Sequence, residues 1–412
     1  MEKVSKRNNK TICLPFTSED YYQSCMDNSE TCRQFLVDTY AKHPELFPTD
    51  FKKGFKFNGF VNPKKQDNFV MRRIKLKNEA QDCFQIRPSF MMPYMIAETK
   101  EIEKALYLRR WGVPFDALAY VFGRDAMFWY RAYLSLGRNS IVGTTVKKAE
   151  NLPEDIVADE KHSRRNSDKV YVATTAAQGC ILGSSLASNV DTNTLTEAYG
   201  VFKKEAQNIA PEYTPKTVNT DGWEATQKAW KNLFPKIVTI LCFLHAFLKI
   251  KDRCKRSKEL LKKIGKKVWN VYNAETLSKF SQRMRRLREW AESHLPAGQV
   301  KDKVLNLCKK SSEFKHTFSH PNAYRTSNHI DRLMNYQDRV IYAMQYFHGT
   351  EAGANLYVRS MALIWNFHPY GTRTLRQDPD RCSPFKDING FCYHENWLQN
   401  MLVASSMGGW RA

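Results

Sequence analysis

A chain of 412 residues, 42% of them apolar, is too long for one small motif and has enough apolar side chains for a core with one or two attached modules. Lys and Arg total 64 against 42 for Asp and Glu, a formal net charge of +22 that calls for a polyanionic partner. Aromatic residues make up 13% and are interleaved with the basic ones; this fits nucleic acid, because rings stack on bases beside phosphate-binding cations.

The ten cysteines show neither a CxxC pair nor a regular framework, so reduced thiols and a cytoplasmic location are expected, nuclear in a eukaryote. The first residues are polar and basic rather than an apolar leader. The most apolar run, 237–248, has about half the length needed to cross a bilayer, so no membrane segment is expected.

In chain order, 1–50 is polar with one helical pattern near 31–40. Within 51–92, short runs around Phe55, Val70 and Cys83 alternate apolar and polar residues between Asn, Gly and Pro, predicting a small antiparallel sheet with a basic face. The period then lengthens. Ile102, Ala105 and Leu106 fall at helical spacing, Gly112 to Pro114 breaks the helix, and two more helical patterns follow within 93–145. Helix, tight turn, helix is compatible with a helix-turn-helix reader whose last helix carries Arg124 and Arg131 toward DNA; three ordinary helices packing Trp129 and Tyr130 inward is the competing expectation.

Three β-rich runs follow Pro153. A helical stretch over 193–210, a short strand ending at Asp221, a helix over 223–233 and a strand at 237–241 complete 150–241. Three strands, helix, strand, helix, strand is the order of a ribonuclease H-like core, an α+β mixed sheet with helices on its faces. The segment 242–325 is helical and rich in Lys and Arg, including Lys249, Lys251 and Arg253, and reads as an all-α insertion. The core resumes over 326–368 with a helix from near 327 past 346 and another over 351–366, and 369–412 reads as a loop-rich tail.

Asp159 lies inside an apolar strand, where an uncompensated carboxylate costs several kcal/mol. Asp221 ends the strand expected beside it, and Asp331 sits one turn into a helix after the insertion, with Ser327 or Asn328 as its cap. Three such acids suit a pair of divalent ions acting on a phosphodiester. Glu351 and Asp338 are fallbacks for the third acid, Glu160 replaces Asp159 if the strand register shifts by one, and His162 is placed to meet a substrate phosphate. Cys242 and His245 supply only two zinc ligands, with no second pair at finger-like spacing, so a helix role is favoured.

Asp221-Gly222-Trp223-Glu224, followed by Phe234-Pro235 and Cys242-Phe243-Leu244-His245, resembles the Mutator-like and related bacterial insertion-sequence transposases. In those enzymes a Cys-x-x-His pair after the second catalytic Asp opens a helical insertion. The resemblance covers about half of the chain, 156–366. Asn328-His329-Ile330-Asp331 looks like the segment carrying their third acid, usually Glu; Asp is one methylene shorter. The resemblance implies Asp159, Asp221 and Asp331 as ligands of two Mg²⁺ ions, with Mn²⁺ substituting, and Cys242 and His245 bordering the site. It also implies double-stranded DNA, both terminal inverted repeats and target, as the partner, and a homodimer or larger assembly on it. The alternatives are a transposase-derived DNA-binding protein that no longer cuts and a structure-specific nuclease.

The charge alone yields one expectation. Six to ten phosphate contacts would weaken DNA binding by about 10³–10⁵ between 50 and 200 mM salt. A flat response in a filter-binding titration would remove the polyanion argument.

Overall fold

The structure, a computed structural model, describes residues 10–63, 69–95, 97–255 and 257–410. It is a mixed α/β protein built on two mixed sheets. The first holds β1 (Thr11–Leu14), β2 (Phe55–Val61), β3 (Met71–Leu76) and β4 (Cys83–Pro88) in the order β1-β4-β3-β2. β2, β3 and β4 are antiparallel, as their alternation predicts, but β1 joins β4 in parallel, so the sheet is not confined to 51–92. The segment before it forms two helices where one was expected: α1 (Glu19–Asp27), capped by Ser18, and α2 (Ser29–Lys42), capped by Asn28.

Next come α3 (Thr99–Arg110), α4 (Phe115–Phe122), α5 (Ala126–Leu136) and the short α6 (Ile141–Thr145). The second sheet contains β5 (Asp155–Arg165), β6 (Asp168–Ala177) and β7 (Cys180–Ala187), an antiparallel meander. After α7 (Thr192–Ile209), β8 (Thr217–Thr220) pairs with β5 in parallel. After α8 (Glu224–Leu233), β9 (Val238–Leu241) pairs with β8. The resulting order is β7-β6-β5-β8-β9.

Alternation along β5 divides the core. Ile156 and Ala158 pack with Tyr199, Phe202 and Trp230 of α7 and α8, whereas Val157 packs on the opposite face. That second face is covered by α14 (Asn328–Tyr342) and α15 (Glu351–Phe367). Between β9 and α14 lie α9 (Phe243–Arg253), α10 (Lys258–Tyr272), α11 (Leu277–His294), α12 (Gln299–Lys309) and α13 (Ser311–Ser319). These five helices enclose an apolar core of their own around Ile264, Val268, Phe280 and Leu287.

Two expectations need correction. α14 stops at Tyr342 rather than running past 346, because Gln345 and Tyr346 take positive φ and Phe347 instead pairs with Arg165. The stretch 369–412 is not a loose tail. It forms α16 (Thr372–Gln377), α17 (Pro384–Asn389) and α18 (Trp397–Ala404), and Leu398, Met401 and Val403 are fully buried. Val403 and Met407 complete the core of the first sheet. Ser406 Oγ accepts from the Cys13 N–H at 3.1 Å and donates to the Leu46 carbonyl at 2.7 Å.

The helices α3 to α5 also pack inward. Trp129 and Tyr133 of α5 are fully buried, and Ser360 Oγ of α15 donates to the Tyr133 carbonyl at 2.7 Å; Arg124, Met127 and Arg131 remain on the surface. Glu205 of α7 and Arg359 of α15 form a buried ion pair at 2.5 Å. Its spare groups are used: Glu205 accepts from Ser140 Oγ at 2.9 Å and the Val142 N–H at 3.0 Å, and Arg359 donates to the Gly137 and Asn139 carbonyls at 2.9 and 2.7 Å. The pair thus joins the helices on both faces of the second sheet through the α5–α6 turn. Arg359→Met leaves the Glu205 carboxylate buried without its partner and should cost about 3–5 kcal/mol in urea unfolding. The double replacement with Glu205→Gln should recover part of that loss.

Candidate metal centre

The parallel register of β5 and β8 decides where two acids meet. Asp155 lies opposite Thr217, Ile156 opposite Val218 and Val157 opposite Asn219, an offset of 217 − 155 = 62 residues. Asp159 and Asp221 have the same separation, 221 − 159 = 62, so both stand two residues beyond the last pair, at the carboxyl end of β8. Ligands bind at such strand ends, where the chain leaves the sheet and opens a crevice. Asp221 directly follows the strand. It accepts a hydrogen bond from the Trp223 N–H at 2.8 Å, and this tight turn requires Gly222, whose φ is +86° and whose missing Cβ would lie 2.6 Å from a Leu241 methyl group.

The third acid comes from the opposite wall. Asp331, in the first turn of α14, brings a carboxylate oxygen to Asp159 and to a ring nitrogen of His245, and these three ligand atoms all lie within 4.8 Å of one another. This half-buried Asp159, His245 and Asp331 group could hold a metal ion. The expectation of Asp159, Asp221 and Asp331 is therefore altered in one respect: His245 takes the place of Asp221 in the tightest cluster. Asp221 still acts on both Asp159 and His245 through its charge. The shorter side chain at position 331 is no obstacle to meeting Asp159.

Cys242 and His245 owe their spacing to a helix cap. Cys242 is the N-cap of α9 and its Sγ accepts the His245 N–H at 3.4 Å; His245, at the third helical position, returns its side chain to Cys242. Ser327 fastens this cap to α14. Its N–H donates to Cys242 Sγ at 3.1 Å, and its Oγ lies 3.4 Å from His245 Nδ1 and from each Asp331 oxygen. Cys242 and His245 are thus hydrogen-bonded to each other and close to Ser327 within the cap of α9. Sequence reasoning saw Ser327 only as a possible cap for α14; its link across 85 residues to Cys242 has no sequence signal.

Electrostatics follow from crowding. Burial pushes Asp159 up to about 6; the His245 charge opposes this, and the charges of Asp221 and Asp331 reinforce it. The hydrogen bond to Cys242 raises His245 to about 9 against its own burial, aided by the Cys242, Asp159 and Asp221 charges. Burial opposes the Cys242 thiolate, yet the hydrogen bond and charge of His245 outweigh it and leave the thiol below its usual range. The carboxylates supply the oxygen donors that suit a hard cation, while the His245 imidazolium and Lys249, 3.8 Å from Asp221, offset part of their charge when no ion is bound.

The other candidates separate cleanly. Glu160 points to the opposite face of β5, where Tyr199 and Thr226 donate to it at 2.8 and 2.7 Å and burial raises it to about 7, so the shifted register does not occur. Asp338 is exposed and paired with Lys161 at 2.6 Å, Glu351 is exposed in the first turn of α15, and His162 is exposed with its ring against Tyr171. Lys251 and Arg253 are exposed on α9, and Arg124 is paired with Glu101 at 3.1 Å.

No family model matches the chain, and no curated protein matches it either. All ten cysteines are free thiols, and among the described residues no helix is long and apolar enough to cross a membrane.

Metal binding must displace the Asp159 proton, so apparent Mn²⁺ affinity should fall about tenfold per unit below pH 6. It should level off above pH 7, because Asp and water oxygens suit a hard cation better than an imidazole that keeps its proton to about 9. Titration calorimetry between pH 5 and 9 measures this, and an affinity still climbing to pH 9 would make His245 a ligand.

Proposed function

We propose that this chain is a DNA transposase, a metal-dependent polynucleotidyl transferase on a ribonuclease H-like core. The observation that carries the reading is the approach of three acids beside the carboxyl end of β8: Asp159 from within β5, Asp221 just after β8, and Asp331 from α14, in a sheet of order β7-β6-β5-β8-β9. Numbered within that sheet the order is 3-2-1-4-5, which puts the first and fourth strands side by side as expected of such a core, and a helical insertion separates the second acid from the third. The Asp221-Gly222-Trp223 and Cys242-x-x-His245 segments add the resemblance to Mutator-like and related bacterial insertion-sequence enzymes.

Asp159, Asp221 and Asp331 would hold Mg²⁺, with Mn²⁺ substituting, and the ions would supply activation of the attacking oxygen and charge stabilisation of the leaving one. The protein's own groups do the rest. His245, a cation at neutral pH, offers a donor to a phosphate oxygen at the edge of the acids. Lys249 donates to the Asp221 carbonyl at 3.2 Å and brings a positive charge to the same edge. The exposed Lys251 and Arg253 continue that charge along α9, suited to phosphates of duplex DNA flanking the cut. Holding two element ends at once calls for a dimer or larger assembly.

The test is nicking and strand joining on duplexes that carry the flanking ends of the chain's own locus, with Mg²⁺ or Mn²⁺. Asp159→Asn and Asp221→Asn should each lose more than the roughly 10–100-fold that removal of an outer metal partner costs. Retained cleavage without joining would favour a structure-specific nuclease. Binding with no cleavage by the unaltered protein would favour a DNA-binding derivative.

A further inference from the structure

Away from the acids, a cleft of about 940 Å³ opens between the first sheet and α5, and its charged lining is strongly one-sided. Arg87 comes from β4, Arg124, paired with Glu101, from just before α5, Arg131 from the middle of α5, and Arg138 from the turn after it. The one acid in the wall, Asp125, is engaged as the N-cap of α5. Two rings face the same space, each already stacked by a guanidinium: Arg138 lies 4.6 Å from the centre of Tyr94 and Arg124 lies 5.1 Å from that of Phe128. Arg87 contributes a buried Nε without a hydrogen-bond partner. Tyr94 and Arg124 hold left-handed backbone, φ +66° and +60°, a cost that tends to collect where side chains are aimed at a ligand.

We propose that this cleft binds unpaired nucleotides of a DNA strand, with the arginines on the phosphates and the bases against Tyr94 and Phe128. The shape selects the ligand. A duplex is read by an element that protrudes into a groove about 12 Å wide, and these arginines instead line a concavity. A volume near the top of the roughly 300–1,000 Å³ range of small-ligand sites accommodates a short run of nucleotides and excludes a duplex. Positive walls with ring platforms are how proteins track single strands without reading sequence. The role differs from that of a helix entering the major groove, because α5 serves here as one wall and the first sheet as the other. It rests on the reading that the chain handles DNA, but not on the acids.

The experiment is fluorescence anisotropy of the full chain with a labelled oligothymidylate of about twelve nucleotides, within the roughly 4–16 nucleotide range of such sites, and with a duplex of equal length. The double variant Arg131→Ala, Arg138→Ala, at two exposed positions, should weaken single-strand binding at least about tenfold. It should lower the slope of log affinity against log salt by about 1.4, because each single-strand phosphate that an arginine neutralises adds roughly 0.7 to that slope. Phe128→Leu should weaken single-strand binding about tenfold through reduced stacking while leaving that slope unchanged. Duplex affinity should stay within about twofold in both variants, with thermal melting confirming that they remain folded. Unchanged single-strand binding, or an equal loss for both forms of DNA, would overturn the assignment. Binding of duplex alone by the unaltered protein would overturn it while leaving the transposase reading intact; binding of neither form would end both.

Discussion

Everything at the carboxyl end of β8 is organised by the repulsion between acids that the fold forces together. Parallel pairing of β5 with β8 brings Asp159 level with Asp221, and α14 delivers Asp331 from the other side. The structure offsets part of the repulsion. His245 stands in the first turn of α9 as a cation, Lys249 approaches Asp221, and Asp331 lies at the N-terminal end of α14, where the helix dipole favours negative charge. Asp159 still holds its proton to about 6, chiefly because it is buried, with the charges of Asp221 and Asp331 adding to that effect against His245.

The same constraint accounts for the joints around the site. The cap at Cys242 fixes the direction of α9 as it leaves β9, and Ser327 ties that cap to the start of α14, so the exit from the sheet and the return from the insertion are one hydrogen-bonded unit. The insertion between them can fold around its own core without displacing Asp331. On the far side of β5, Glu160 is a second half-buried acid, satisfied by Tyr199 and Thr226. Adjacent residues on one strand thus meet opposite fates: one carboxylate is absorbed into a hydrogen-bond network, and its neighbour is left facing other acids.

The second sheet was legible because its strands are β-rich runs bounded by polar turns and helices; the match between the spacing of Asp159 and Asp221 and the register offset of β5 and β8 appears only in the structure. β1 was not: the four residues Thr11 to Leu14 are too few to carry a period that separates a strand from a loop. α18 was missed for the opposite reason, being buried on nearly every side, so its sequence shows no polar stripe. The end of α14 was overrun because Met344 and Tyr346 continue an apolar pattern that the backbone abandons at Gln345. For α5, composition named the aromatics, but only packing shows that Trp129 and Tyr133 turn inward. His245 joined the acids through a cap contact between residues three apart and a serine 82 residues away, a combination with no local pattern.

Ser406 holds β1 in place across 393 residues of chain, and Val403 and Met407 fill the apolar core beneath it. During translation the first sheet therefore emerges from the ribosome with its core incomplete. At the usual elongation rates of about 5–20 residues per second it waits on the order of tens of seconds for the segment that closes it. Over that interval the nascent protein presents an unfinished apolar surface to chaperones. A chain released before Val403 would leave the first sheet without the side chains that close its apolar core.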